Sequence, residues 1–433
     1  MTLSVAGAGP TPLGPRSASP AGRAVLCRFC GNPLSHTFVD LGMSPLCQRH
    51  ITPEQLNHME PFYPLHAYVC ERCFLVQLEE FVAPGDIFSE YAYFSSYAES
   101  WVEHARQYCE LMCTRFGINR NSRVVEIASN DGYLLQHFVA KGVPVLGVEP
   151  AANVAAVAIR KGIPSVIKFF GSQTARELAA QFGKPDLLLG NNVLAHVPDL
   201  NDFVAGMKAL LAEGGVITME FPHLLELMQH NQFDTIYHEH FSYFSFTTVT
   251  QVFRRQGLTL FDVERLPTHG GSLRIYGRHA DDGSKSVSAR ALELLALEQR
   301  LGLTTLDPYA AFAEQVRETK RALLEFLIGA KRAGKRIVGY GAPGKGNTLL
   351  NYCGIGTDFL DFTVDRNPYK QGKYTPGTHI PILHPDELIK ARPDYVLILP
   401  WNLKDEILAT IGKMPSLKDA RFIVPIPRVE VVS

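Results

Sequence analysis

The run Val124-Val125-Glu126-Ile127-Ala128-Ser129-Asn130-Asp131-Gly132 sets the class of fold. Its start is apolar and β-branched around one acidic residue, the composition of a strand buried on both faces. It ends on a glycine and a helical pattern follows, so it reads as a strand, a turn and the opening of a helix. An acidic-x-Gly-x-Gly-x-Gly turn at such a place lets the backbone approach a ligand closely, because glycine adopts positive φ freely. Here Ala128 and Asn130 stand at the first two glycine positions and Gly132 at the third. Asparagine tolerates left-handed dihedrals better than most residues, which keeps the turn feasible.

Outward from this turn the pattern repeats. Residues 124–129, 145–149, 186–193 and 216–221 read as buried strands, each followed by a helical stretch. That alternation predicts a parallel α/β sheet within residues 81–285. Glu149 closes the second strand 17 positions after Gly132. A carboxylate there can accept hydrogen bonds from both hydroxyls of a ribose. Gly190-Asn191-Asn192-Val193-Leu194-Ala195-His196 follows the third strand. Together these features read as a site for S-adenosylmethionine, with Glu126, Ala128, Asn130, Gly132, Tyr133, Glu149, Asn191 and Asn192 as its candidate residues.

Three further segments flank this one. Residues 1–24 are rich in Pro, Gly, Ser and Ala, without a basic start or a continuous apolar run, and read as a flexible tail rather than a signal peptide. Residues 25–80 are loop-rich and carry two CxxC pairs, Cys27/Cys30 and Cys70/Cys73. In a reducing compartment such pairs point to zinc held by four thiolates, and a segment this short needs such a staple. Cys47 and His50 are spaced as a third candidate pair. Residues 286–433 begin with helical spacing to about 335 and then alternate, with strands expected at 336–341, 359–364, 395–400 and 421–425. The net charge of −1, with 20% charged and 46% hydrophobic residues, gives no general attraction to nucleic acid or anionic lipid. No apolar run reaches the ~20 residues of a membrane span. A cytoplasmic enzyme is the expectation.

Two other motifs carry chemistry. Tyr237-His238-Glu239-His240 gathers titratable groups among aromatics, suited to acid–base work near neutral pH. Tyr237 faces the same site as His240 if the segment is helical. Its His-x-His lacks the spacing that puts two metal ligands on one helical face. Gly339-Tyr340-Gly341-Ala342-Pro343-Gly344-Lys345-Gly346-Asn347 satisfies Gly-x-Gly-x-x-Gly, and Asp365 lies 21 positions after Gly344. That is a dinucleotide fingerprint, so an NAD-dependent oxidoreductase acting on a nucleotide sugar is the alternative function. Gly346 replaces the Ser/Thr that a P-loop would use for magnesium.

The chain resembles the nucleotide-sugar C-methyltransferases that build branched deoxysugars in antibiotic pathways. The resemblance runs over residues 27–433. It rests on the two CxxC pairs, the Glu-Ile-Ala-Ser-Asn-Asp-Gly turn at 126–132, Asn-Val-Leu-Ala-His at 192–196, Tyr-His-Glu-His at 237–240, His-Gly-Gly-Ser-Leu-Arg at 269–274 and the glycine-rich turn at 339–347. It implies an α/β fold in three parts: a small N-terminal zinc-binding domain, a class I methyltransferase domain of Rossmann type, and a C-terminal Rossmann-like domain. It implies structural zinc at the cysteines and catalysis by His240 and Tyr237, with Glu239 and His196 nearby. A tyrosine from the N-terminal side also reaches the family's site; Tyr91 is the best match, and Tyr93 and Tyr97 are the alternatives. The expected substrate is a nucleotide-linked keto-deoxysugar, methylated at carbon 3 of a dTDP-4-keto-6-deoxyhexose. Its diphosphate is expected at the glycine-rich turn, with Gly341, Lys345, Asn347, Arg366, His269 and Arg274 as substrate contacts.

Overall fold

The computed structural model describes residues 25–88, 94–412, 414 and 417–432. The expected tail at 1–24, and Tyr91 and Tyr93, lie outside the described residues. Three sheets organise the rest. The N-terminal segment contributes β1 (His36–Ser44), β2 (Tyr63–Val69) and β3 (Val76–Leu78). The central segment contributes β4 (Val124–Ile127), β5 (Val145–Val148), β6 (Ser165–Val166), β7 (Leu187–Asn191), β8 (Val216–Pro222), β9 (Ser242–Tyr243), β10 (Leu258–Leu266) and β11 (Ser272–His279). The central sheet has the order β10-β11-β8-β7-β4-β5-β6. Its strands β4, β5, β6, β7 and β8 pair in parallel, while β11 runs antiparallel to β8 and to β10. The sheet is thus mixed rather than wholly parallel, because the β10–β11 hairpin adds an antiparallel edge. The four expected strands fall where the apolar runs placed them, since strands buried on both faces carry a strong local signal.

The N-terminal sheet, in contrast, is completed from far along the chain. Its order is β1-β2-β3-β9, with Val76 and Gln77 of β3 opposite Tyr243 and Ser242. The residues directly after Tyr-His-Glu-His are therefore fixed by the cysteine-bearing segment. The C-terminal sheet comprises β12 (Ile337–Tyr340), β13 (Thr363–Val364), β14 (Ile382–Leu383), β15 (Tyr395–Ile398), β16 (Arg421–Val424) and β17 (Glu430–Val432), ordered β14-β13-β12-β15-β16-β17. The strand expected at 359–364 is confined to its last two residues; Phe359 and Leu360 close a turn on Gly356 instead. Helices Ala289–Arg300 and Asp307–Arg332 connect the central and C-terminal sheets. Among the described residues no helix is long and apolar enough to cross a membrane.

Candidate active site

The turn after β4 carries three alternate residues at positive φ: Ala128 (57°), Asn130 (49°) and Gly132 (77°). These are the three glycine positions of the acidic-x-Gly-x-Gly-x-Gly form. Only the last demands glycine for space as well, because a Cβ there would stand 2.3 Å from the Ile163 side chain. The turn borders a cavity of about 470 Å³ at the carboxyl ends of β4, β5 and β7, where ligands of open α/β sheets bind. Ala128, Asn130, Tyr133, Glu149, Asn191 and Asn192 line it, and His196 closes one end. Glu126 and Gly132 are not part of that lining. Both Glu126 carboxyl oxygens are buried without a hydrogen-bond partner, and burial beside Glu149 and Asp131 holds the group well above the usual carboxylate range.

Glu149 is ordered by its own strand end. Its carboxylate accepts from the backbone N–H of Asn130 at 3.0 Å and of Ala151 at 2.9 Å. Those bonds tie the turn to β5 and leave lone pairs for a ligand in the cavity. Glu149→Ala is expected to weaken S-adenosylmethionine binding by about 1–3 kcal/mol, the range for hydrogen bonds to a charged partner. Titration calorimetry checks this; unchanged affinity removes Glu149 from the ribose site.

Tyr237-His238-Glu239-His240 is not helical. It forms a turn closed by the His240 N–H donating to the Tyr237 carbonyl at 2.8 Å. The turn brings the Tyr237 and His240 rings to 4.1 Å between centroids, tilted by 33°, so the two share a site through the turn rather than by helical phase. His196 meets His240 edge-on at 4.7 Å. His240 Nδ1 lies 2.9 Å from the Thr235 carbonyl, an acceptor only, so Nδ1 carries the proton and Nε2 the lone pair. Burial pushes His240 well below its ordinary value and His196 and His269 to about 4. All three are neutral imidazoles near pH 7. His238 turns the other way, to the Pro64 carbonyl at 3.2 Å, and joins the N-terminal sheet. Glu239 lies against the Cys47 thiol.

Two loops complete the site. His269 sits at φ 55° in the Thr268–Gly270 turn, its Nε2 3.2 Å from the Asn192 amide, beside Trp101 of the cavity. From the C-terminal sheet, the Gly344–Cys353 helix presents Lys345 and Asn347. Asn347 donates to the Cys47 carbonyl at 2.6 Å. Two expected contacts face elsewhere. Arg274 lies directly opposite Glu220 across β11 and β8, pairs with it at 3.0 Å and covers the Tyr108 ring. The buried charge is neutralised inside the fold, so strand register rather than a ligand explains this arginine. Arg366 pairs at the surface with Glu406 and Thr410.

The glycine-rich turn is filled by protein. A Cβ at Gly341 would stand 2.6 Å from Pro400, and one at Gly344 3.0 Å from Cys47. His50 is buried against Ala342 and Asp365, and Asp365 accepts from the Ala342 and Asn367 N–H groups. The glycines answer close packing between segments, a reason for them that needs no bound dinucleotide. Cys47 and His50 thus belong to this contact.

The four cysteines of the CxxC pairs gather as their spacing predicts. Cys27 and Cys73 sulfurs are 3.6 Å apart, Cys30 and Cys70 3.5 Å, and all four lie within 4.8 Å of one another. Tetrahedral zinc at about 2.3 Å from each sulfur needs edges of about 3.8 Å, so the set fits the ion. Gln77 Nε2 donates to Cys27 Sγ at 3.2 Å, an outer partner of the kind metal thiolates carry. Arg28, between two of the cysteines, reaches the Pro198 carbonyl on the cavity wall at 2.9 Å.

Sequence reading passed over Trp101 and Trp401. They are the only two tryptophans of the chain, and both stand at this site.

A turn of this conformation on this sheet, with buried histidines near its cavity and a cluster of four cysteines in the N-terminal segment, defines a zinc-bearing, S-adenosylmethionine-dependent methyltransferase. Family models match in the same order: a zinc binding domain over residues 27–88, a methyltransferase domain over 101–263 and a C-methyltransferase C-terminal domain over 267–427. The C-methyltransferase NovU of Streptomyces niveus is 37% identical over 407 residues, 94% of this chain and 96% of NovU. The chain belongs to the C-methyltransferase family. Among solved structures, the magnesium protoporphyrin IX methyltransferase of Synechocystis with bound SAM covers 41% of this chain and 78% of its own, at 12% identity and TM-score 0.32. The CcbJ methyltransferase of Streptomyces caelestis covers 41% and 89%, at 12% identity and TM-score 0.33.

Proposed function

We propose that the enzyme methylates a carbon next to the ketone of a nucleotide-linked keto-deoxysugar, namely C-3 of a dTDP-4-keto-6-deoxyhexose, and that it acts in the cytoplasm. The observation that carries the chemistry is His240, whose Nδ1–H is held by Thr235 and whose Nε2 lone pair is therefore available beside the cofactor cavity. A ring carbon is a poor nucleophile until its proton is removed, and that proton is acidic only beside a carbonyl. Bound S-adenosylmethionine supplies a methyl group on a sulfonium, which needs no further activation. His240 takes the proton, Tyr237 beside it donates to the enolate oxygen, and Glu239 and His196 orient sugar hydroxyls or the imidazole. Tyr91 is assigned to the same site by family resemblance. The motifs shared with nucleotide-sugar C-methyltransferases support the substrate class. The nucleotide end is assigned to the C-terminal sheet. Eight cysteines, none of them in a disulfide, suit a reducing compartment.

Mass spectrometry of products from a panel of dTDP-4-keto-6-deoxyhexoses with isotopically labelled cofactor tests the reading. A labelled methyl on C-3 of one keto sugar is expected. No labelled sugar across the panel overturns it.

A further inference from the structure

We propose that Lys345 holds its ammonium against the carbonyl oxygen of the reacting ketone, neutralising the enolate as it forms, and does not bind the diphosphate. This assignment rests on the keto-sugar reading above. Lys345 opens the Gly344–Cys353 helix, and Thr348, one turn later on the same face, donates to the Ile236 carbonyl at 3.2 Å. The first turn of that helix is therefore seated on the segment that carries Tyr237 and His240. Lys345 Nζ donates to Asn402 Oδ1 at 2.9 Å and lies 4.5 Å from the centre of the Trp401 ring. Trp401 Nε1 donates in turn to Asp234 Oδ2 at 2.7 Å, three residues before Tyr237. The Trp401 ring also abuts Gly270, where a Cβ would stand 2.7 Å away, beside His269.

The ammonium thus rests on side chains that contact the segment and the loop flanking Tyr237, His240 and His269. Burial, and to a lesser extent the charge of Lys345, holds His240 and His269 down; burial also lowers Lys345 itself, with Asp234 opposing. An ammonium has three donors and Asn402 uses one. The arrangement suits one step. His240 Nε2 takes the α-proton, the C–H electron pair becomes the enolate double bond, and the carbonyl π pair moves to oxygen beside Lys345. The enolate carbon then bonds to the methyl as the methyl–sulfur bond breaks, leaving a neutral thioether, and the oxygen pair returns to restore the ketone. A positive field at the developing oxyanion, inside a water-poor site, is the strongest form of such assistance.

The test uses Lys345→Met in the full chain with the dTDP-4-keto-6-deoxyhexose that wild type methylates. Deuterium uptake at the α-carbon and single-turnover methylation are measured at saturating sugar, and dTDP affinity by calorimetry. Both rates are expected to fall about 100-fold or more, with dTDP and S-adenosylmethionine affinities within about threefold. Lys345→Gln, which keeps a donor for Asn402, gives the same reading if the methionine variant fails to fold. A tenfold loss of dTDP affinity with unchanged exchange would place Lys345 on the diphosphate and overturn the proposal. A wild type that neither exchanges nor methylates any keto sugar overturns the substrate reading itself, and this assignment with it.

Discussion

His240→Ala is expected to lose α-proton exchange and methylation together, by about 10²–10⁴-fold, the usual contribution of a positioned acid–base group. Both ligands should still bind, because the Glu149 end of the cavity is built from other strands. Wild-type protein should exchange the α-proton of the keto sugar for deuterium without transferring a methyl group when the demethylated cofactor is bound. Exchange at the wild-type rate in His240→Ala would move the base to Tyr237 or His196. The pH behaviour follows from burial. His240 stands well below the ordinary histidine value, so the base stays competent on acidification below about 6.5. Stability has the opposite sense. His196 and His269 titrate near 4 in the folded protein and near 6.5 when unfolded, so between those values the unfolded chain binds protons that the native one does not. Stability is full above about 6.5 and falls as pH drops toward 4, by up to about 1.4 kcal/mol per unit for each buried histidine. Melting temperatures at pH 7 and pH 5 check the direction.

Removing the metal should be the larger structural insult. Cys27→Ser/Cys73→Ser protein is expected to lose its zinc, from one ion per chain to none by metal analysis. Structural zinc is worth roughly 10–16 kcal/mol in small zinc-binding domains, so the N-terminal segment should lose its fold. The consequence reaches the chemistry by short routes. Asn201 donates to the carbonyls of Arg28 and Phe29 between the cysteines, and Arg28 holds Pro198 on the cavity wall. On the other side, β3 pairs with β9, two residues after His240. Methylation should be lost and cofactor binding weakened together. Stoichiometric zinc in the double variant would refute the ligand set.

Much of the site was legible because its determinants are local. The Glu126–Gly132 turn shows in seven consecutive residues, and the left-handed positions land on the three residues that the glycine pattern marks. The CxxC pairs announce their geometry because each spans a single turn. Lys345 illustrates the limit. Its motif reads as a phosphate turn, yet Pro400 and Cys47 occupy the space its glycines open. Arg274 belongs to a recognisable motif, yet the register of β11 on β8 sets it against Glu220.

The residues by themselves determined the strand–turn–helix unit, the cluster of four cysteines and the gathering of titratable groups at 237–240. Each depends on interactions between residues close in sequence, or on side-chain chemistry that no packing alters. The tertiary structure alone decided that His240 meets His196 at the cavity wall, which tautomer His240 holds, and that Lys345 lies on Asn402 and Trp401. Those outcomes depend on contacts such as Asn347 with Cys47, 300 positions apart, and β3 with β9. Such contacts form only when whole sheets bury their apolar faces against one another, and no local pattern encodes them.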